Sequence, residues 1–502
     1  MVHFSPEEHE LLESVNRDRL WRDTSFLGAQ GRESGSPEAQ ASVEYIVEEL
    51  RRIGVDVTVY ELDAYLSYHR SAELRVLSPE IRTIPAIARA YTQPTAPEGV
   101  ELELVVAGEF HGDITNKAVL TARDWPGAYD LRGAGAEIHV QTTAEPNLHR
   151  GGGTGVWGTP LPEQAGLLRP QTTGISISRP DGEYLRDLVR RASVRVRIRT
   201  EVETGWKRIS FPVATIPGKQ DTFVLTGGHL DSHDPGVTDN ATGCASLLEL
   251  ARILNERRSE LRHGLRIGWW TGHESAGYAG STWYCDNNWD DLHYRCILYW
   301  NIDGPGIRDA ENIEVRYVFP QVQRFVLDLI HEYYEREPDI IAKPLKMGDQ
   351  SFWGVGVPSA SVYKCLPPNH PDWAVVFGAG HGRWWHSTDD TLDKVDLDNL
   401  VDDTRFCALA LWRLLTADSL PFEFETYAAW MRFTLTELQE EVGSHFDLGR
   451  LLERVTTFER LARSLRAAQL AHIHSAAARG TIDMCLMRLS RHLNPIYFTL
   501  VG

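Results

Sequence analysis

Three apolar segments in the middle of the chain each lead directly into imidazole or carboxylate side chains, and this arrangement strongly constrains the fold. The segments begin at Phe223, Leu265 and Cys296 and have the length and apolar content of buried β-strands. Helical patterns separate them, which is typical of a mostly parallel sheet with helices on both faces. In such sheets, functional groups collect beyond the carboxyl ends of the strands. The groups that follow the three segments are His229 and Asp231, His273 and Glu274, and Asp303.

Two further residues extend this set of ligand-type side chains. Asp239 lies just before a predicted helix that begins near Thr242, and His386 lies far downstream. Taken alone, Asp239 fits a helix N-cap, and His386, beside two tryptophans, fits a buried aromatic contact. Together with the groups above, they form nitrogen and oxygen donors suited to divalent ions, and an aspartate can bridge two such ions. We therefore predict a site for two divalent ions, with zinc as the expected metal and manganese or cobalt left open. Asp390 and Asp393 are either anchoring groups or surface charges.

Charge and hydropathy argue against several classes of protein. The 502 residues include 70 acidic and 51 basic side chains, and the net charge of −19 argues against a nucleic-acid-binding protein. No apolar run approaches the roughly 18–20 residues needed to span a bilayer, and the first residues do not resemble a signal peptide. Six dispersed cysteines without a CxxC pair are typical of reduced thiols. We therefore expect a cytoplasmic protein with no membrane or nucleic-acid partner.

The pattern along the chain predicts an α/β fold built of several parts. Residues 207–418 alternate strand and helix patterns, so a doubly wound, mostly parallel sheet is expected there, and residues 1–68 contribute to the same domain. Residues 69–206 are rich in short strands, Gly and Pro, which indicates an inserted β-rich domain. Residues 419–502 are predicted to be helical. An apolar stripe in that last part indicates a packing face, either within the chain or in a homodimer. The stripe contains Leu448, Leu451, Leu452, Val455, Phe458, Leu461 and Leu465.

The order of these motifs resembles the co-catalytic zinc aminopeptidase superfamily, which includes bacterial leucyl aminopeptidase, aminopeptidase Y and glutamate carboxypeptidase II. The resemblance covers nearly the whole chain: residues 69–206 are similar to the family's protease-associated insert, and the helical tail is similar to the dimerising domain of its carboxypeptidase branch. It implies that His229 and Asp303 bind one ion, that Glu274 and His386 bind the other, and that Asp239 bridges them. The segments that carry the resemblance, besides these residues, are Gly31–Gln40, Ile114–Leu120, Gly174–Ser178, Met347–Phe352, Gly356–Pro358 and His386–Thr391.

One motif departs from the family pattern. The family places two adjacent glutamates after the second strand, the first as general base for the bridging water and the second as metal ligand. Aligned from the strand, His273 stands in the place of the base and Glu274 keeps the ligand position. Aligned from Gly280 and Ser281, Glu274 would be the base and Ser275 would fall on the ligand position. We prefer the strand alignment because strand registers slip less readily than loops, and His273 itself remains a candidate metal ligand.

The resemblance implies a metal-dependent hydrolase that cleaves an amide bond in a peptide or a small N-acyl compound. The expected catalytic groups are His273, Glu274 and Asp231, the last because metal-bound imidazoles need a hydrogen-bond partner that fixes their orientation. Glutaminyl-cyclase-like acyl transfer and a non-enzymatic, receptor-like protein are the alternatives, since both occur on the same fold. Candidates for substrate contacts, or equally for core packing, are Tyr363, Arg383 and Trp385.

Overall fold

The structure is a computed structural model that describes most of the chain. The described ranges are 4–121, 136–143, 146–151, 158–160, 172–274, 277–342, 351–374, 380–472 and 475–498. No helix in these ranges is long and apolar enough to cross a membrane. The predictions for Ser275 and for residues 347–350 lie outside the described residues.

Twelve α-helices and thirteen strands are present in the described part of the chain. The helices are α1 (Pro6–Glu13), α2 (Arg17–Leu27), α3 (Pro37–Arg52), α4 (Arg179–Arg191), α5 (Thr242–Glu256), α6 (Ala279–Asn287), α7 (Trp289–Arg295), α8 (Pro320–Tyr334), α9 (Leu397–Thr416), α10 (Phe424–Val442), α11 (Gly449–Ala471) and α12 (Ala476–Phe498). The strands are β1 (Asp56–Ser78), β2 (Arg82–Ala88), β3 (Val100–Val106), β4 (Lys117–Thr121), β5 (Ile138–Thr142), β6 (Thr173–Ile177), β7 (Val194–Ile216), β8 (Phe223–His229), β9 (Gly264–Trp270), β10 (Cys296–Asn301), β11 (Asn312–Arg316), β12 (Ile340–Ile341) and β13 (Ser359–Cys365). A π-helical turn, Val237–Ala241, precedes α5.

The main part of the sheet has the strand order β7-β9-β8-β10-β13-β11-β12. Strands β9, β8, β10 and β13 are parallel, whereas β7 and β11 run antiparallel to their neighbours β9 and β13. Every residue of β8 and β10 is buried, as expected for strands covered on both faces. Alternate residues of β8 enter two different cores, because Val224 packs with the helix face that contains α5 and Leu225 packs on the opposite face. The structure is therefore a mixed α/β fold with a large, mostly parallel sheet at its centre.

Strands β1 and β7 are much longer than the sequence indicates. They pair antiparallel from Asp56 opposite Thr215 to Ser78 opposite Arg195, with two register shifts. The far half of this ribbon continues the sheet through β2, β6, β5, β4 and β3, and these strands enclose a separate apolar core with α4. The alternating residues 56–62 are thus only the first part of the 23-residue strand β1. The boundaries at 68/69 and 206/207 fall inside β1 and β7, and the division into domains stays a prediction.

Local sequence signals explain the ends of α3. The Ser36 hydroxyl accepts a hydrogen bond from the Ala39 N–H at 3.1 Å, and Pro37 occupies the first helical position. The apolar face, including Ile46 and Leu50, is buried against the main core. Burial of each such side chain contributes about 1.5–3 kcal/mol. The Ser-Pro start and the apolar spacing of this segment are therefore those expected of a buried helix.

The last three helices only partly bury the predicted apolar stripe. Val455 is buried and α10 packs against α11, while α12 contributes Leu486 to the main core. Leu451 and Leu461 are 46% and 55% exposed, so these two residues of the stripe face solvent in the single chain. The six cysteines are free thiols, five of them buried.

Candidate metal centre

The carboxyl ends of three neighbouring parallel strands bring the predicted ligand-type residues to one edge of the sheet. His229 is the last residue of β8, Glu274 follows β9 by four residues, and Asp303 follows β10 by two. Gly228 allows this approach, because a Cβ at that position would lie 2.2 Å from the Ile302 carbonyl oxygen. A substitution there would push β8 away from the Asp303 loop.

Asp239 lies between two imidazoles. Its Oδ1 is 2.8 Å from His229 Nε2, and its Oδ2 is 3.1 Å from His386 Nε2. The side chain does not cap α5, whose N-cap is Ala241 and has no side-chain cap hydrogen bond. One carboxylate thus faces two imidazoles with one oxygen each, which is the geometry that a bridging ligand requires.

Two more carboxylates complete the arrangement. Asp303 Oδ1 is 3.4 Å from His229 Nε2, and Glu274 Oε1 is 3.1 Å from His386 Nε2. A sixth side chain, His233, lies on the far side of Glu274, with Nε2 3.7 Å from Glu274 Oε2. The sequence analysis did not single out His233. We refer to these side chains as the histidine–carboxylate cluster; its members are His229, His233, Asp239, Glu274, Asp303 and His386.

The cluster fits divalent cations. Asp303 Oδ1 and Glu274 Oε1 are buried and receive no hydrogen bond of acceptable geometry. Among the described residues, the ion-pair partners of Asp239, Glu274 and Asp303 are all imidazoles, with no lysine or arginine. Three carboxylates with so little counter-charge in a buried pocket favour cations, and imidazole nitrogen with carboxylate oxygen is the donor set of zinc.

The electrostatics of the cluster point the same way. Burial opposes charge on His386, but Glu274 and Asp239 outweigh it and raise the His386 pKa to about 10. Likewise, burial disfavours charge on His229, yet Asp303 and Asp239 raise its pKa well above 6.5. Burial raises the pKa of Glu274 despite the attraction of His386. The carboxylates therefore stabilise positive charge on the imidazoles that face them.

Asp231 supports the site differently from the sequence-based expectation. Its backbone carbonyl, not its carboxylate, lies 2.7 Å from His229 Nδ1, so the backbone fixes the ring and leaves Nε2 facing the cluster. The Asp231 carboxylate accepts hydrogen bonds from the N–H groups of His273 at 3.2 Å and Glu274 at 3.1 Å. The Asp231 carboxylate thus holds the turn that presents Glu274.

His273 lies beside the cluster. Its ring stacks on that of His229 with centroids 4.1 Å apart and an interplanar angle of 13°, and the Tyr278 ring meets it edge-on. Burial, reinforced by His229, lowers the His273 pKa well below 6.5. The side chain that faces His386 after β9 is Glu274, and the choice between the two alignments stays a prediction.

Two buried residues brace the loop that carries His229 to Asp239. The Arg32 guanidinium, fully buried, donates to backbone carbonyls of Leu27, Leu230, Pro235 and Gly236. The Asp390 carboxylate accepts from the Thr238 N–H and hydroxyl and from the Asp239 N–H, at 2.8–3.1 Å. Burial raises the pKa of Asp390 to about 7. The structure agrees with the interpretation of Asp390 as an anchoring group. The Asp393 side chain is 60% exposed and pairs with Lys394.

A segment from the β-rich part of the chain reaches the cluster. The Arg150 N–H donates to the His386 carbonyl at 2.9 Å, and His386 Nδ1 lies 3.3 Å from the Arg150 carbonyl oxygen. The Arg150 guanidinium binds Asp234 through two bonds of 2.7 and 2.9 Å. The β-rich part therefore positions a cluster imidazole. Nothing in the local sequence around Arg150 signals this contact.

The three predicted substrate-contact residues have different surroundings. The Trp385 ring stacks on His386 with centroids 3.4 Å apart, so it contacts the cluster directly. Tyr363 is buried in β13 next to His381, and Arg383 pairs with Asp372 beside a polar cavity of about 310 Å³. The structure brings neither Tyr363 nor Arg383 to the cluster, and both remain predictions as substrate contacts.

Comparison with known proteins relates part of the chain to a known family. Residues 213–410, which contain the whole cluster, match peptidase family M28. This match agrees with the resemblance to the co-catalytic zinc aminopeptidase superfamily that the sequence motifs carry. It is 30% identical over 289 residues to a probable lipoprotein aminopeptidase of Mycobacterium tuberculosis and 28% identical over 291 residues to leucine aminopeptidase 2 of Trichophyton equinum. Each match covers 54% of this chain and 54% of the relative, so the chain spans about half the length of these relatives.

Solved structures of the superfamily share the fold. A zinc aminopeptidase from Bacillus subtilis superposes with a TM-score of 0.62 and 19% identity, over 80% of this chain and 96% of that structure. At this identity, the likeness concerns the arrangement of helices and strands. The fold expected from the resemblance is therefore confirmed in its main α/β part.

Proposed function

We propose that the protein is a zinc-dependent hydrolase that cleaves an amide bond in peptides, in the manner of an aminopeptidase. The observation that carries this proposal is the position of Asp239, with one carboxylate oxygen on His229 and the other on His386. The names of the relatives, which are aminopeptidases, support the peptide as substrate class.

Two zinc ions fit the donor set. His229 and Asp303 would hold one ion, Glu274 and His386 would hold the other, and Asp239 would contact both. When bound, such a pair polarises the scissile carbonyl and makes water a nucleophile at neutral pH. The chain's own contribution is to fix these donors through the carbonyls of Asp231 and Arg150 and to exclude bulk water by burial.

His273 is proposed to accept the proton of the attacking water. It occupies the position next to Glu274 that a glutamate holds in the family, and its ring is packed against His229. A matched pair of variants tests this role. His273→Phe keeps an aromatic ring on His229 and is expected to retain zinc while losing turnover. His273→Glu restores a carboxylate and is expected to restore turnover with a shifted pH–rate profile. Loss of zinc in His273→Phe would instead identify His273 as a ligand.

The function itself is tested on the full chain reconstituted with zinc. Aminoacyl amides and N-acyl dipeptides are incubated with the protein, and products are weighed by mass spectrometry. Gain of water indicates hydrolysis, whereas loss of ammonia or water indicates cyclisation. Asp239→Asn is expected to lose zinc and turnover together, while Asp221→Ala, which removes an exposed carboxylate two residues before β8, is expected to retain both. Stoichiometric zinc without turnover on the whole panel contradicts the proposal.

A further inference from the structure

His233 lies against the half of the cluster that contains Glu274 and His386. Its Nε2 is 3.7 Å from Glu274 Oε2, and its ring meets the His386 ring edge-on with centroids 4.9 Å apart. One donor atom from each of these three residues lies within 4.8 Å of the others. The His233 side chain is 3% exposed. A buried nitrogen donor is therefore held next to a proposed metal position that the family pattern fills without it.

The loop around His233 is rigidly supported. Ser232 and Arg32 exchange hydrogen bonds, Ser232 Oγ with the Arg32 N–H and the Ser232 N–H with the Arg32 carbonyl. On the other side of His233, Asp234 is bound by both arms of Arg150. The His69 ring closes the outer face of His233 with centroids 5.4 Å apart. The imidazole is thus fixed between His69 and His386.

We propose that His233 is a further ligand of the zinc ion held by Glu274 and His386, an inference that rests on the proposed function. Zinc binds imidazole nitrogen and carboxylate oxygen at about 2.0–2.2 Å, so two donors of one tetrahedral ion lie about 3.4 Å apart. The separations of 3.1 Å from Glu274 Oε1 to His386 Nε2 and 3.7 Å from Glu274 Oε2 to His233 Nε2 lie on either side of this value. Because one donor atom of each residue lies within 4.8 Å of the others, side-chain rotations would bring all three donors to one ion.

The two ions would then differ in their coordination. With Asp239, the ion at Glu274 and His386 has four protein ligands, which is typical of a closed site. The ion at His229 and Asp303 has three and keeps a position open for water or substrate. An open position there would place the reacting end of the substrate on the side of His229.

X-ray absorption fine structure at the zinc edge of the wild-type protein with two zinc ions tests the ligand set directly. The expected result is three imidazoles for every two zinc ions. Two imidazoles for every two ions would overturn the inference and leave the proposed function intact, whereas failure to bind zinc at all would contradict the proposed function itself. This measurement requires no variant.

Zinc affinity of two matched variants gives an independent test. His233→Gln keeps an N–H donor that can bind Glu274 but removes the ligand nitrogen. His69→Gln is the control, because it removes an imidazole that packs against His233 and lies one ring further from Glu274. Loss of a group that merely orients a ligand lowers metal affinity about 10–100-fold. Chelator competition is expected to show a loss of more than about 100-fold at one zinc in His233→Gln and less than about 10-fold in His69→Gln. Affinity retained in a folded His233→Gln variant overturns the inference; if that variant fails to fold, the absorption measurement decides.

Discussion

Removal of the Asp231 carboxylate should release the turn that presents Glu274. The carboxylate is fully buried and accepts the N–H groups of His273 and Glu274. Hydrogen bonds to a charged group contribute about 1.5–3 kcal/mol each, so the two bonds amount to about 3–6 kcal/mol. Burial raises the Asp231 pKa, because removing water from the charged carboxylate costs free energy. Replacement by alanine removes this desolvation cost and so offsets part of the free energy lost with the two hydrogen bonds. We expect a net destabilisation of the loop of about 2–4 kcal/mol in Asp231→Ala.

This destabilisation should be measurable as zinc affinity. Because Glu274 is displaced but not removed, we expect a loss of about 10–100-fold at one ion in Asp231→Ala. Chelator competition and the thermal midpoint of the zinc form provide the measurements, with Asp221→Ala as the control for loss of one carboxylate. If Asp231→Ala binds both zinc ions as tightly as the wild type, the role of Asp231 as the support of Glu274 is refuted.

Three further perturbations probe other parts of the structure. Arg150→Ala removes the paired hydrogen bonds to Asp234, and zinc affinity is expected to fall by about 10-fold. Arg150→Lys should not restore the affinity, because an ammonium cannot form the paired bonds. Full rescue by lysine would count against this reasoning. Burial, reinforced by Arg262, lowers the His263 pKa from 6.5 to about 4, so the unfolded state takes up a proton before the folded state does. Stability should therefore fall by about 2–3 kcal/mol between pH 6.5 and pH 4, and His263→Asn, measured by thermal denaturation, should lose this part of the pH dependence; an identical profile would contradict the assignment. Chelation of the wild type should lower the thermal midpoint, since the three carboxylates then lack their counter-ions, and zinc should restore it; an unchanged midpoint would argue against a metal centre.

Local patterns predicted the central elements of the fold well. The strand Cys296–Asn301 is an apolar run that ends at a polar residue, Asn301. Helix α3 has a Ser-Pro start and a glycine soon after its end. The lengths of β1 and β7 were not predicted, because their pairing partners change along the ribbon from the main core to the β-rich core. Such pairing joins residues more than a hundred positions apart and leaves no local periodicity to read.

The sequence also predicted which five side chains the structure brings together, because parallel strands share one carboxyl edge. It missed His233, although the alternation of His229, Asp231 and His233 after β8 offered a signal for side chains on one side of the chain. Arg32 and Arg150 could not be found, since their contacts with the site span about 200 and 236 positions. The group that orients His229 is the backbone carbonyl of Asp231 and not the expected carboxylate. Every residue carries a backbone carbonyl, so no sequence pattern identifies this partner.

Anomalous diffraction at the zinc edge, from crystals grown with zinc, tests the central claim most directly. Two peaks are predicted about 3.5–4 Å apart on either side of Asp239, one beside His229 and Asp303 and the other beside Glu274 and His386. A single peak elsewhere, or no peak at the histidine–carboxylate cluster, would contradict the account.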